Sequence, residues 1–263
     1  MVDASEIPAK LAQLRAADPE SRIPGAGAGD GGHGHRLGPT VAGETLRRAE
    51  DLIGAELPEG YRSFLTEAGD GGAGPSHGLK PLAGALDVVE SRWGLAALGR
   101  PSPFTADVDF GDLLGQPDDW GEHVARLETD PEYVAGWERL RTAHMADPWG
   151  DGRLPLVDYG CGDWLFLVVK GPRRGTVGAD CLDSATGIYD LGVDFLTWYG
   201  RWLDDVLGRA RTGDFATANA RLPVLRYGDN PRYEPLSDLD LDLGLDFDVD
   251  LDDLGLEVDR DLD

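Results

Sequence analysis

Between Val193 and Leu207 the apolar residues Phe195, Trp198, Tyr199, Trp202, Leu203, Val206 and Leu207 recur at i, i+3, i+4 and i+7. That is the period of one helical face, and it is the clearest helix pattern in the chain. Leu46, Ala49, Leu52 and Ile53 predict a second helix over Glu44 to Ile53, with Gly54 placed to stop it. Leu57-Pro58 opens a third. Pro58 suits a first helical position, Tyr61, Phe64, Leu65 and Ala68 share a face, and Gly69 closes it. Weaker helical patterns cover Pro8 to Ala17, Asp87 to Ala97, Asp119 to Glu128, Tyr133 to Met145 and Asp214 to Leu222. In Tyr133 to Met145, Tyr133, Trp137, Leu140 and His144 lie on one side.

The pattern then changes period. Leu154 to Val157, Trp164 to Lys170, Thr176 to Asp180 and Gly187 to Tyr189 read as strands, with a turn from Gly171-Pro172 to Gly175. Trp164 to Val169 (WLFLVV) is continuously apolar, which predicts a strand buried on both faces. Leu79 to Leu82 predicts a further short strand. Gly25 to Gly38 and Asp70 to Gly78 read as loops, and Arg100 to Gln116 yields no element.

Beyond Arg209 the pattern thins, and Pro231 and Pro235 mark 211–237 as a linker. From Asp238 to Asp263 leucines and other apolar residues alternate with acids or glycine, a strand period. Repulsion among so many carboxylates opposes ordered pairing, so this segment is expected to be a solvated, disordered acidic tail. The alternative is an acidic–apolar segment that orders on a basic partner.

Charge sharpens this. The 263 residues carry −25; the last 26 hold twelve acids and one arginine, leaving −14 for the rest. Phosphate contacts need clustered Lys and Arg, so nucleic acid is excluded as a partner, and an anionic membrane would repel the chain. A basic partner would be drawn in over long range, less so in salt. Two cysteines, Cys161 and Cys181, are too few for a disulfide framework. No signal-like start and no apolar run near ~20 residues is present, so the cytoplasm is the default location.

Three blocks resemble one family. Ile53 to Pro75 (IGAELPEGYRSFLTEAGDGGAGP) is similar to the LPxxYRxFL…GGAGP signature of the SUKH superfamily, named partly for fungal cell-wall-synthesis regulators. It holds Leu57, Pro58, Tyr61, Phe64, Leu65, Gly71 and Gly72. Leu154 to Asp180 resembles the family's GCGD–strand–GP block through Gly160, Cys161, Gly162, Gly171 and Gly175. Phe195 to Leu203 (FLTWYGRWL) resembles its closing helix through Trp198, Tyr199 and Trp202. His35 to Pro39 (HRLGP) echoes an upstream element, and the whole likeness covers roughly Leu11 to Leu207. Gly178 stands where the family often has Trp, and neither Arg100 to Gly152 nor the tail carries a family motif.

The resemblance implies an α+β fold, a mostly antiparallel sheet flanked by helices. On that reading 1–40 is an N-terminal helix and glycine-rich loop. The domain itself is 41–210, with a helical insertion at about 100–152. The resemblance also implies a binding role without catalytic residues or cofactors. Many bacterial members look like immunity proteins that neutralise secreted toxins, often nucleases, by direct contact; others look like regulators or scaffolds.

The residues carry a reading of their own. In the GCGD turn, the glycines around Cys161 permit positive φ or a bulge, and Asp163 can accept backbone N–H groups. Cys161 as a nucleophile would want a base and electropositive surroundings, but its neighbours are Asp158 and Asp163, and no histidine is near in sequence. His33 and His35 lack further spaced ligands and read as a flexible polar loop, not a metal site. Gly27 to Gly32 matches GxGxxG by composition, yet no buried strand precedes it. Asp246, Asp248, Asp250 and Glu257 match EF-hand ligand positions, but Leu251 stands where the loop's sharp turn requires glycine. Trp198 and Trp202 are expected in the core. Trp120 and Trp149 flank loops and, with Asp158, Asp163 and Trp164, are the candidate partner contacts.

Three readings follow: an immunity protein blocking a toxin with a basic surface, a regulatory or scaffolding module acting through the acidic tail, and, last, an enzyme using Cys161 or an aspartate pair.

Overall fold

The computed structural model describes residues 3–27, 32–109, 120–145, 150–160, 162–181 and 187–215. The chain opens with helix α1 (Ile7–Ala17), strand β1 (Leu37–Gly38) and helix α2 (Gly43–Ile53). Helix α3 (Glu59–Ser63) widens into a π turn over Phe64–Ala68 and leads into β2 (Asp70–Gly72) and α4 (Leu82–Trp93). Next come β3 (Val108–Asp109), α5 (Trp120–Thr129) and α6 (Pro131–Met145). Strands β4 (Arg153–Gly160), β5 (Asp163–Val168), β6 (Thr176–Cys181) and β7 (Gly187–Asp194) precede the last helix, α7 (Phe195–Thr212).

This is an α+β fold on an antiparallel sheet of order β3-β7-β6-β5-β4. β1 pairs with β2, and Leu79 bridges both Gly72 and Val157, so this small ladder joins the outer edge of β4. Buried on both faces, as its apolar run predicts, β5 turns Leu165 and Leu167 into the main core and Phe166 and Val168 into a second cluster with Phe104 and Ile188. Trp137 of α6 packs against that second cluster.

Helix α7 fills the main face with Phe195, Trp198, Tyr199, Trp202, Leu203 and Val206, all buried. Asp194 caps its start by accepting the Thr197 N–H at 2.8 Å. Tyr61 and Phe64 meet Phe195 edge-on, with centroids 4.8 and 5.0 Å apart, and Phe64 meets Tyr199 at 5.0 Å. The Tyr199 hydroxyl donates to the Ala73 carbonyl at 2.9 Å. The first and third sequence blocks thus interlock, and Leu57, Pro58, Leu65, Gly71 and Trp202 are buried among them. At Gly178 the Phe166 ring occupies the space a Cβ would need, so no side chain fits there.

Several local expectations shift. Pro58 stands just before α3 as its N-cap, not inside it. Helix α4 begins at Leu82, five residues ahead of the predicted start, because the Asp70 carboxylate accepts the Leu82 N–H at 2.7 Å. A cap supplied from twelve residues upstream has no local sequence signal. Leu79 contributes isolated bridges to Gly72 and Val157 rather than a strand, and Asp70–Gly72, read as a loop, pairs with β1. β3 lies in a stretch that yielded no element.

The histidine loop is also corrected. His35 is buried with its Nε2 2.9 Å from Asp18 Oδ2, and the Asp18 carboxylate also accepts the N–H groups of Arg22 and Ile23. Cys161, Trp149, the expected helix beyond Phe215 and the acidic segment lie outside the described residues. Among the described residues no helix is long and apolar enough to cross a membrane.

Candidate functional site

At the far end of the β4–β5 hairpin the chain reverses through Gly160 and Gly162, at φ +80° and +85°. Side chains rarely adopt that conformation, which is why glycine stands there. Of the two alternatives the sequence offered, positive φ is thus observed, and the register also slips between Asp158 and Gly160. Asp158 accepts the Gly160 N–H at 2.9 Å. Asp163 pairs with Gly160 across the turn.

The slip places Asp158 opposite Trp164 on one side, while Asp180 stands opposite it on the other. Trp164 is half-buried and its indole N–H meets no hydrogen-bond acceptor among the described residues. Two cations approach its ring: Lys80 Nζ at 4.9 Å and Arg92 at 5.0 Å from the centroid. Lys80 is also 4.0 Å from Asp158. Beneath this surface the buried Arg153 reaches Asp180 at 3.3 Å and lies 4.6 Å from the Phe166 ring. Burial pulls the Arg153 guanidinium below its ordinary pKa, and the Asp180 charge opposes that pull.

Three of the five predicted contact residues therefore share one hairpin. Trp120 opens α5, and Trp149 is outside the described residues, so neither can be assigned to this surface. Sequence reading missed Lys80, Arg92, Arg153 and Asp180. Asp180 was legible, since it ends a predicted strand facing Trp164. Lys80 and Arg92 were not, because α4 and the Leu79 bridge bring them in from far along the chain. His77 was missed too; its Nε2 lies 3.9 Å from where a Gly160 Cβ would stand, though no histidine is near in sequence.

The Trp164 ring is thus rimmed by two cations and two carboxylates, with Lys80 and Arg92 in cation–π range. Among the described residues no three His, Cys, Asp or Glu side chains gather where they could hold a metal. Comparison with family models, curated proteins and solved structures finds no match.

Proposed function

We propose that this chain is a non-enzymatic protein-binding module that neutralises a cognate toxin with a basic surface by direct contact. The observation that carries the reading is the meeting of the blocks that resemble the SUKH superfamily. Tyr61 and Phe64 of the first meet Phe195 of the third edge-on, Phe64 also meets Tyr199, and the Tyr199 hydroxyl donates to Ala73 in the GGAGP segment. The second block supplies the hairpin whose tip carries Asp158 and Trp164.

Trp164 is the anchor of the contact; Lys80 and Arg92 offset the local charge of Asp158 and Asp163, so the attraction for a basic toxin comes from the chain's net charge of −25. A nuclease toxin would offer its phosphate-binding groove, and association would be fast and weakened by salt. The protein acts in the cytoplasm of the cell it protects.

Co-expression with a toxin domain encoded beside the gene tests this. Growth of the co-expressing cells supports the reading, and Cys161→Ser leaves protection intact. Arrested growth despite abundant folded protein overturns it.

A further inference from the structure

Two positive charges reach the Trp164 ring from outside its own strand, Lys80 from just before α4 and Arg92 from the last turn of that helix. Cations are drawn to the negative face of an indole, and its edge is positive and suits a group of opposite sign.

The hydrogen-bonding groups around this ring do not balance. Of the acceptors, Asp158 Oδ1 already takes the Gly160 N–H, and Asp180 Oδ2 takes the Arg153 guanidinium. Of the donors, Lys80 has only Asp158 Oδ2 nearby, and 4.0 Å is too long for a hydrogen bond. Arg92 is exposed and meets no carboxylate among the described residues, and the Trp164 N–H has no acceptor there either. Other arginines of the chain lack a carboxylate as well; Arg92 differs because a second cation and an unpaired N–H stand at the same ring. An N–H closed to solvent and left without an acceptor is destabilising, so an acceptor supplied from outside binds favourably.

We infer that this rim binds a side-chain carboxylate, from aspartate or glutamate, of the partner protein, seated at the indole edge against Arg92 and Lys80. The inference rests on the protein-binding reading and adds the chemistry of the contact. A net charge of −25 draws a basic surface at long range, while at Trp164 that surface presents an acid. Phosphate, more highly charged, is disfavoured because Asp158 and Asp180 flank the same ring. The long, exposed Arg92 side chain is free to swing and admit the carboxylate to the N–H.

The test is an NMR titration of the full chain with N-acetyl-aspartyl amide, matched at equal ionic strength by N-acetyl-arginyl amide and by inorganic phosphate. The Trp164 indole N–H, assigned by its loss in Trp164→Phe, should move downfield saturably with the aspartyl compound. Arg92→Gln should weaken that binding roughly fivefold, the upper end for an exposed ion pair, and Lys80→Gln should weaken it too. Unchanged indole resonances of the buried Trp198 and Trp202 report that both variants are folded. A saturable shift with the arginyl compound, an equal or tighter one with phosphate, unchanged affinity in Arg92→Gln, or no saturable shift overturns the inference. Co-expression with the neighbouring toxin domain reads the toxin proposal separately. Protection without carboxylate binding sinks only this inference, and carboxylate binding without protection sinks only the toxin.

Discussion

The Tyr199 hydroxyl donates a 2.9 Å hydrogen bond to the Ala73 carbonyl, joining residues 126 positions apart in a fully buried setting. Burial drives the Tyr199 phenol far above its ordinary pKa, so it remains a donor at any working pH. Tyr199→Phe keeps the ring contacts with Phe64 and Phe195 but leaves the Ala73 carbonyl unsatisfied. The expected loss is about 1–3 kcal/mol, read as a lower urea midpoint at unchanged m-value. An unchanged midpoint would show that the bond contributes nothing.

The Arg153–Asp180 pair gives an asymmetric prediction. Asp180→Asn removes the carboxylate that meets the buried Arg153 guanidinium, leaving it the Asp151 charge alone, and should cost about 3 kcal/mol. The double substitution Arg153→Met, Asp180→Leu removes both charges and should cost less than the single one. Equal losses in thermal denaturation would contradict the assigned coupling.

Much of the fold was legible because its signals are periodic and local. The α7 stripe and the WLFLVV run each pointed to their burial. What stayed hidden was non-local: the Asp70 cap that starts α4 early, the Leu79 bridge, and Asp18 folding back onto His35. Of the site, the turn glycines and the Asp158–Trp164 hairpin could be read from spacing. Its cationic rim could not, since Lys80 and Arg92 come from outside the hairpin.

His33 predicts a pH dependence. Its Nδ1 accepts the His35 N–H, and its Nε2 lies 3.1 Å from the Gly74 carbonyl, so the ring is neutral with Nε2 protonated. Burial first, then the His35 charge, lowers its pKa to about 4 from 6.5. The unfolded chain therefore binds a proton more readily between those values, and stability falls as pH drops from about 6.5 towards 4, by on the order of 2 kcal/mol. His33→Asn should flatten urea-derived stability over that window. An identical slope in the variant would assign the effect to other groups.

Trp164→Ala should weaken partner binding by roughly 30-fold, the ~2 kcal/mol of a hot-spot side chain. Asp158→Lys should reduce the association rate with a basic partner and flatten its salt dependence. Calorimetry and stopped-flow association separate the two effects. Wild-type affinity in Trp164→Ala would move the interface off this hairpin.

Affinity purification of the full chain, co-expressed with the products of the genes beside its own, tests the central claim most directly when repeated at low and high salt. The account predicts that a basic toxin domain co-purifies at low salt and dissociates as salt rises. Recovery of the chain with no such domain at either salt would contradict it.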